Sequence, residues 1–350
     1  SLVGGILWFL LDRIDFVAGI SGIVGVIAAN RGYSFFAKAT SKKGIILSTV
    51  IAALVLVLAW YLCFSLDLAQ AYEMWYENGE VDYEVLAKAT KFVLAKGADG
   101  IYACGGTSEF CLLTTEERKR CLEVVIANAD GKEVIAHVGS QSTAESVELA
   151  KHAASVGANM LSAVAPYYFG YTFPQIKEYF RKIAHATDLE LMIYNAAQAR
   201  DYSLAEMKEL LEDEKITAVK YTGQNFYFLE RLIHACPDKK FYTGCDEAFL
   251  AGAAVGSHGA IGTTYNYYAD KYIEARRLFK EGKNAEALDI IHRLNSITEA
   301  IISTTSLIAA TKYIMSLQGL DILPISREPF SPLTEEQKAH VKAVCDTVGF

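Results

Sequence analysis

The chain has 350 residues, is 52% hydrophobic and 21% charged, and carries a formal net charge of −8. It contains no run of five or more Lys/Arg, which argues against a nucleic-acid surface while leaving room for a local basic pocket for an anionic substrate. Seven cysteines without a CxxC pair, and seven histidines without HxxxH or HExxH spacing, point to reduced thiols and away from a zinc site.

Two compositions succeed one another along the chain. Gly44 to Leu66 is 23 residues without a charge, long enough to cross a bilayer core as a helix, with Trp60 and Tyr61 toward its C-terminal end where interfacial anchors sit. Residues 1–75 are therefore expected to be a hydrophobic helical segment, either a transmembrane anchor through residues 44–66 or a fragment fused to an unrelated enzyme. Arg31, Lys38, Lys42 and Lys43 precede the span, so the positive-inside rule places that loop in the cytoplasm. A single crossing would then carry everything after Leu66 out of the cell, in conflict with the character of the remainder.

From Val81 onward, short apolar runs alternate with amphipathic stretches. Strands are predicted at Gly100–Gly105, Val134–Gly139, Met160–Pro166, Leu191–Asn195, Ile216–Thr222, Lys240–Gly244 and His258–Thr264. Helices are predicted between them, at Thr114–Ala129, Ser142–Val156 and Phe173–Ala186 among others. After the seventh strand come Tyr268–Glu281, Ala285–Thr304, Leu307–Leu317 and a tail helix from Thr334. Strand–helix alternation signals a parallel sheet, and seven such units with strands buried on both faces predict a TIM (β/α)8 barrel over residues 76–350 with a C-terminal helical extension. No GxGxxG opens a helix, which disfavours a doubly wound nucleotide-binding sheet.

In such barrels the chemistry sits at the carboxyl ends of the strands. Lys220 interrupts an otherwise apolar strand there. It is either paired with a carboxylate in the barrel floor or desolvated, with a lowered pKa and an amine free to attack a carbonyl. Tyr194 ends the preceding strand, as a proton shuttle or as a core tyrosine. Gly105, Gly106, Thr107 and Ser108 form a turn that can offer N–H groups to a carboxylate, or is simply a tight connection.

The motifs GIYACGGTSEFCLLTTEER (Gly100–Arg118), IAHVGSQSTAES (Ile135–Ser146), YN (Tyr194–Asn195), VKYT (Val219–Thr222), GCDEAF (Gly244–Phe249) and GAIGTTYN (Gly259–Asn266) follow in one order. On them, residues from about Asn78 to Phe350 resemble the dihydrodipicolinate synthase and N-acetylneuraminate lyase superfamily. The resemblance implies a cytoplasmic, tetrameric class I aldolase acting on a keto sugar acid and pyruvate, with no cofactor and no metal. It implies Lys220 as the imine-forming lysine and Tyr194 as the proton shuttle, with Gly106 and Thr107 at the pyruvate carboxylate. Thr222, Gly244, Asp246, Glu247 and Thr263 would meet the sugar-derived polyol.

The Asp246–Glu247 pair and the Thr-Thr-Tyr-Asn segment favour the lyase branch. The synthase branch usually has an arginine five residues after the tyrosine, where this chain has Ala199, with Arg200 one later. A third reading is a membrane-anchored sugar-acid binder without turnover.

The chain departs from the family at several points. Gly106 stands where a hydroxyl is usual, and Ser108 where glycine is usual, which strains the turn if φ is positive there. Ala197 replaces a proline. The family's first strand and its Thr-Pro turn are unrecognisable, with Ser48–Leu54 and Cys63–Ala69 as candidate substitutes.

Overall fold

Each predicted strand has its place in one parallel sheet. The computed structural model describes residues 79–196 and 199–350. After helix α1 (Tyr83–Ala95) come β1 (Gly100–Ala103), α2 (Thr115–Ala127), β2 (Glu133–His137), α3 (Thr143–Val156), β3 (Met160–Val164) and α4 (Phe173–Ala184). They are followed by β4 (Leu191–Ala196), α5 (Leu204–Leu211), β5 (Ile216–Thr222), α6 (Phe226–Ala235), β6 (Lys240–Thr243), α7 (Phe249–Ala254) and β7 (Gly259–Ala260). The strands pair in sequence order, β1 to β7, all parallel. Four helices close the chain: α8 (Tyr265–Lys280), α9 (Asn284–Ile302), α10 (Leu307–Leu317) and α11 (Glu335–Val348).

Helix boundaries follow local capping chemistry. Thr114, Ser203 and Thr334 each open a capping box, their hydroxyls and the third helical residues Glu117, Glu206 and Gln337 satisfying N–H groups reciprocally. Thr172 does the same for α4, with Pro174 in its first turn. Most predicted strands end one or two residues early. The seventh is reduced from His258–Thr264 to two residues, because the chain turns at Gly262 toward α8.

The two faces of the sheet carry different residues, as a period of two requires. Ala136, Leu161, Ala163, Leu191, Ile193, Val219 and Phe241 point outward into a core shared with the surrounding helices. Ile135, Met160, Met192 and Ala218 point the other way and pack together with Tyr102, Tyr242 and Ile261. That second layer contains strand residues and Ile261 but no helix residue, as in a sheet curled around its own interior. A third cluster, including Tyr267, Tyr272, Leu294, Ile301, Ala309, Ile314 and Val341, joins α8 to the C-terminal helices.

Val81–Phe350 form one unit, and the described strands number seven. The hydrophobic run 44–66, the candidate substitute strands and Cys63 lie outside the described residues, as does Ala197. Among the described residues no helix is long and apolar enough to cross a membrane.

Phe241 is fully buried between the β6 backbone and the helices. Phe241→Ala is expected to cost about 3–5 kcal/mol of stability, read as a lower urea midpoint at unchanged m-value.

Candidate active site

Strand register assembles the site. Tyr194 on β4 lies opposite Lys220 on β5, and Lys220 lies opposite Tyr242 on β6. Lys220 is two residues beyond Ala218, so it shares the inward face, one layer nearer the carboxyl ends of the strands. It is only 6% exposed. Its Nζ sits 4.1 Å from the ring centre of Tyr194 and 4.5 Å from that of Tyr102. Among the described residues no carboxylate is within ion-pairing distance of it. Burial pushes its pKa down to about 8, against the opposing pull of Asp246. The aromatic faces stabilise the ammonium partly, but they accept no proton and form no salt bridge. The arrangement is that of a desolvated amine and not of a paired structural lysine.

The predicted site residues converge on this amine to different degrees. A Cβ on Gly106 would lie 3.7 Å from the Tyr194 hydroxyl, so the turn after β1 faces the tyrosine. Burial pushes the Tyr194 hydroxyl above its ordinary value, while the Thr222 hydroxyl pulls it the other way. Thr222 Oγ1 is buried without reaching good hydrogen-bond geometry with any partner. Thr107 Oγ1 lies 2.7 Å from Thr263 Oγ1, which ties the β1 turn to the end of β7.

Two glycines allow the close approach. A Cβ on Gly244 would fall 2.0 Å from Thr222 Oγ1 and 3.3 Å from Lys220 Cε. One on Gly262 would fall 1.5 Å from Asp246 Oδ1.

Asp246 and Glu247, predicted to act as a pair, are separated by the turn Asp246–Ala248. Asp246 is buried, whereas Glu247 is exposed at the rim with its carbonyl accepting from Asn295 Nδ2 at 3.0 Å. Asp246 Oδ2 accepts from the Thr264 N–H at 2.7 Å and the Thr264 hydroxyl at 2.8 Å. That hydroxyl is also 2.8 Å from the Tyr272 hydroxyl, and with one proton it donates to an ionised Asp246 and accepts from Tyr272. Among the described residues Asp246 Oδ1 has no hydrogen-bond partner. Burial raises the Asp246 pKa, opposed by the Thr264 bonds and by Lys220. Burial thus drives Lys220 and Asp246 alike toward their neutral forms, while their opposite charges resist.

Several neighbours carried no distinct signal in the sequence. Tyr102 donates or accepts at Ser162 Oγ, 2.8 Å away, inside the sheet. His137 places Nδ1 2.9 Å from the Cys104 carbonyl, so Nδ1 carries the proton, and Nε2 accepts from the Val164 N–H. Burial, then Arg118 and Lys220, hold its pKa well below the usual histidine value, so the ring stays neutral. Arg118 is buried beside it, donating to the carbonyls of Gly139 and His137 at 3.0 and 2.8 Å. The period-two pattern marks Tyr102 and His137 as inward, but that pattern is shared by any core residue.

The turn itself departs from expectation. Ser108 lies in a 3-10 turn, Gly106–Ser108, and the left-handed backbone falls one residue later, at Glu109 (φ 57°), and at Cys104 (φ 56°). The strain anticipated at Ser108 is absent.

The fold and its comparisons define an enzyme of the parallel strand–helix class. The chain belongs to the dihydrodipicolinate synthetase family, whose profile matches residues 69–347. It is 37% identical to the N-acetylneuraminate lyase of Fusobacterium nucleatum over 268 residues, covering 75% of this chain and 91% of that one. It is 33% identical to the N-acetylneuraminate lyase of Rhizobium meliloti, covering 76% and 89%. Among solved structures, CdNal from Clostridium difficile, in complex with mannosamine, superposes with a TM-score of 0.75 at 32% identity over 78% of this chain and 94% of that one. The N-acetylneuraminate lyase of Fusobacterium nucleatum complexed with pyruvate gives 0.73 at 35% identity, over 78% and 93%.

The Lys220 environment has a stability consequence. Its folded pKa of about 8 lies below the ordinary lysine value of 10.5. Below about 8 the folded chain holds a buried ammonium at a cost of about 3 kcal/mol, and that cost is relieved as pH rises from about 8 to 10.5. Lys220→Met is therefore expected to raise the urea midpoint at pH 7, with the gain shrinking above pH 8. In the opposite direction, Gly262→Ala is expected to abolish substrate turnover, because its methyl displaces the Asp246 carboxylate; steady-state assay of the folded variant checks it.

Proposed function

We propose that this protein is a class I aldolase, a carbon–carbon lyase that cleaves N-acetylneuraminate to pyruvate and N-acetylmannosamine. The observation that carries the reading is Lys220, buried, without an ion-pair partner among the described residues and depressed to about 8, over the ring of Tyr194 at the strand ends. With its pKa near 8 instead of the ordinary 10.5, the amine keeps a useful neutral fraction near neutral pH, and that fraction can add to a ketone.

The reaction follows from this pair. Lys220 Nζ attacks C2 of the open-chain keto acid, and loss of water from the carbinolamine gives a protonated imine. Tyr194 gives its phenolic proton to the hydroxyl that leaves the carbinolamine as water, and the phenolate so formed takes the proton of the C4 hydroxyl as the C3–C4 bond breaks. The bonding electrons move into the imine, leaving an enamine on Lys220 and an aldehyde that departs as N-acetylmannosamine. C3 of the enamine takes that proton from Tyr194, whose phenolate then accepts a proton from the water that hydrolyses the imine, releasing pyruvate and the free amine. The Gly106–Ser108 turn presents the first N–H groups of a helical turn, which have no acceptor within it, to the C1 carboxylate. Thr222, Gly244, Asp246, Glu247 and Thr263 supply the polyol contacts. Asp246 Oδ1, buried and unpaired, suits a sugar hydroxyl as donor.

The runner-up is dihydrodipicolinate synthesis, since a Bacillus anthracis dihydrodipicolinate synthase superposes with a TM-score of 0.74 at 28% identity over 77% of this chain and 93% of that one. Arg200 argues against it. Its guanidinium pairs with Glu206 at 2.8 Å and donates to the Tyr171 carbonyl at 3.0 Å, so it is already committed. The reading extends to a cytoplasmic homotetramer, for which the exposed Tyr168 and Phe169 after β3 supply apolar surface. The six described cysteines, all free thiols, accord with a reducing compartment. Residues 76–350 would form the catalytic barrel and 1–75 a separate segment.

Borohydride reduction in the presence of pyruvate is expected to add one reduced pyruvyl group at Lys220, located by peptide mass. Lys220→Ala should give neither adduct nor pyruvate release from N-acetylneuraminate. Tyr194→Phe should still trap pyruvate but lose roughly 10²–10⁴-fold in kcat, the usual worth of a positioned proton-transfer group. An adduct without turnover of N-acetylneuraminate would shift the reading to another sugar acid or to a binder.

A further inference from the structure

The turn that faces Tyr194 is anchored from outside the sheet. Glu109, immediately after Gly106–Ser108, adopts left-handed backbone (φ 57°, ψ 31°) and connects that turn to the next, Phe110–Leu112. Its N–H donates to the Gly106 carbonyl at 3.1 Å, and its carbonyl accepts from the Leu112 N–H at 2.7 Å. A non-glycine residue is disfavoured in this conformation by its Cβ, so something must hold it.

Its carboxylate, 8% exposed, accepts from Lys312 Nζ at 2.8 Å and from the Arg327 main-chain N–H at 2.6 Å. Lys312, on α10, also donates to the Ile325 carbonyl at 2.7 Å. The Arg327 guanidinium reaches back to the Leu112 carbonyl at 2.6 Å and pairs with Glu117 on α2, whose carboxyl it holds down to about 2. The C-terminal segment therefore grips the β1 turn at both ends, and the carboxylate in the middle is largely shielded from water.

We propose that Glu109, gripped by Lys312 and the Arg327 main chain, is a positioning residue for substrate: it sets the Gly106–Thr107 N–H groups on the substrate carboxylate, and thereby couples the C-terminal helices to keto-acid affinity. The inference rests on the aldolase reading of Lys220. Lys312 and Glu109 touch no reacting atom, so their removal spares the amine and weakens one subsite. The ion pair is shielded, so loss of Lys312 leaves a carboxylate uncompensated and frees the strained turn to relax. Lys312→Arg keeps the charge and a donor.

The test is borohydride trapping at Lys220 with two ketones, pyruvate and hydroxyacetone, the second lacking a carboxylate. Lys312→Met is expected to raise the half-saturating pyruvate concentration about tenfold or more and to leave hydroxyacetone trapping unchanged. Glu109→Gln should show the same pattern, and Lys312→Arg should remain close to the parent protein. Pyruvate half-saturation unchanged in Lys312→Met overturns the inference. Parallel losses for both ketones also overturn it, since they indicate general damage to the fold. Absence of a pyruvate adduct on the parent protein removes the aldolase reading, and this inference with it.

Discussion

Holding one lysine amine out of water, without a carboxylate to pair it, is the constraint on which the site depends. In water the Lys220 amine would be protonated and inert at neutral pH. Within the curled sheet, between the rings of Tyr102 and Tyr194, desolvation outweighs the attraction of Asp246 and lowers its pKa to about 8. The surroundings follow from this demand. The layer below is apolar, Ala218 and Met192 among it, and the hydroxyls nearby belong to uncharged side chains. His137 is kept neutral by burial and by the charges of Arg118 and Lys220, so it adds no second cation beside the amine.

The same site carries the cost of its chemistry in unsatisfied groups. Among the described residues Asp246 Oδ1 is buried without a partner and Thr222 Oγ1 without a well-formed hydrogen bond, and in each case a glycine leaves the space that keeps them there. Unpaired buried polar atoms are rare in folded proteins because each costs about 1–3 kcal/mol. These two lie near Lys220 and accord with the proposed hydroxylated ligand. Stability is supplied elsewhere, by the outward-facing strand residues against the helices and by the apolar cluster of the C-terminal helices. Those helices also reach the site, through Lys312 and Arg327 to Glu109, so a region outside the strand–helix repeat contributes to its geometry.

Much of this was legible in the sequence because it rests on local chemistry. Strand–helix alternation, capping residues such as Thr114 and Thr334, and the lysine inside an apolar run are all short-range patterns. What escaped involves partners far apart in the chain. Glu109 and Lys312 are separated by 203 residues, and Thr107 and Thr263 by 156. No period or spacing connects them. Backbone conformation was equally hidden: the left-handed residue follows from the tertiary anchoring of Glu109 and not from the choice of serine at 108. The Asp246–Glu247 pair, adjacent in sequence, divides into a buried and an exposed carboxyl because a single 3-10 turn points successive residues to different surroundings.

By itself the sequence determined the order of strands and helices, the family of the region after Val81, and the placement of Lys220 and Tyr194 at neighbouring strand ends, because hydrophobic period and motif order are written along the chain. Only the tertiary structure decided that Lys220 has no ion-pair partner among the described residues, that Arg200 is engaged by Glu206, and that the turn after β1 is tethered to α10. Those properties depend on burial and on distances across the fold, and a low dielectric turns small differences in placement into large differences in charge state.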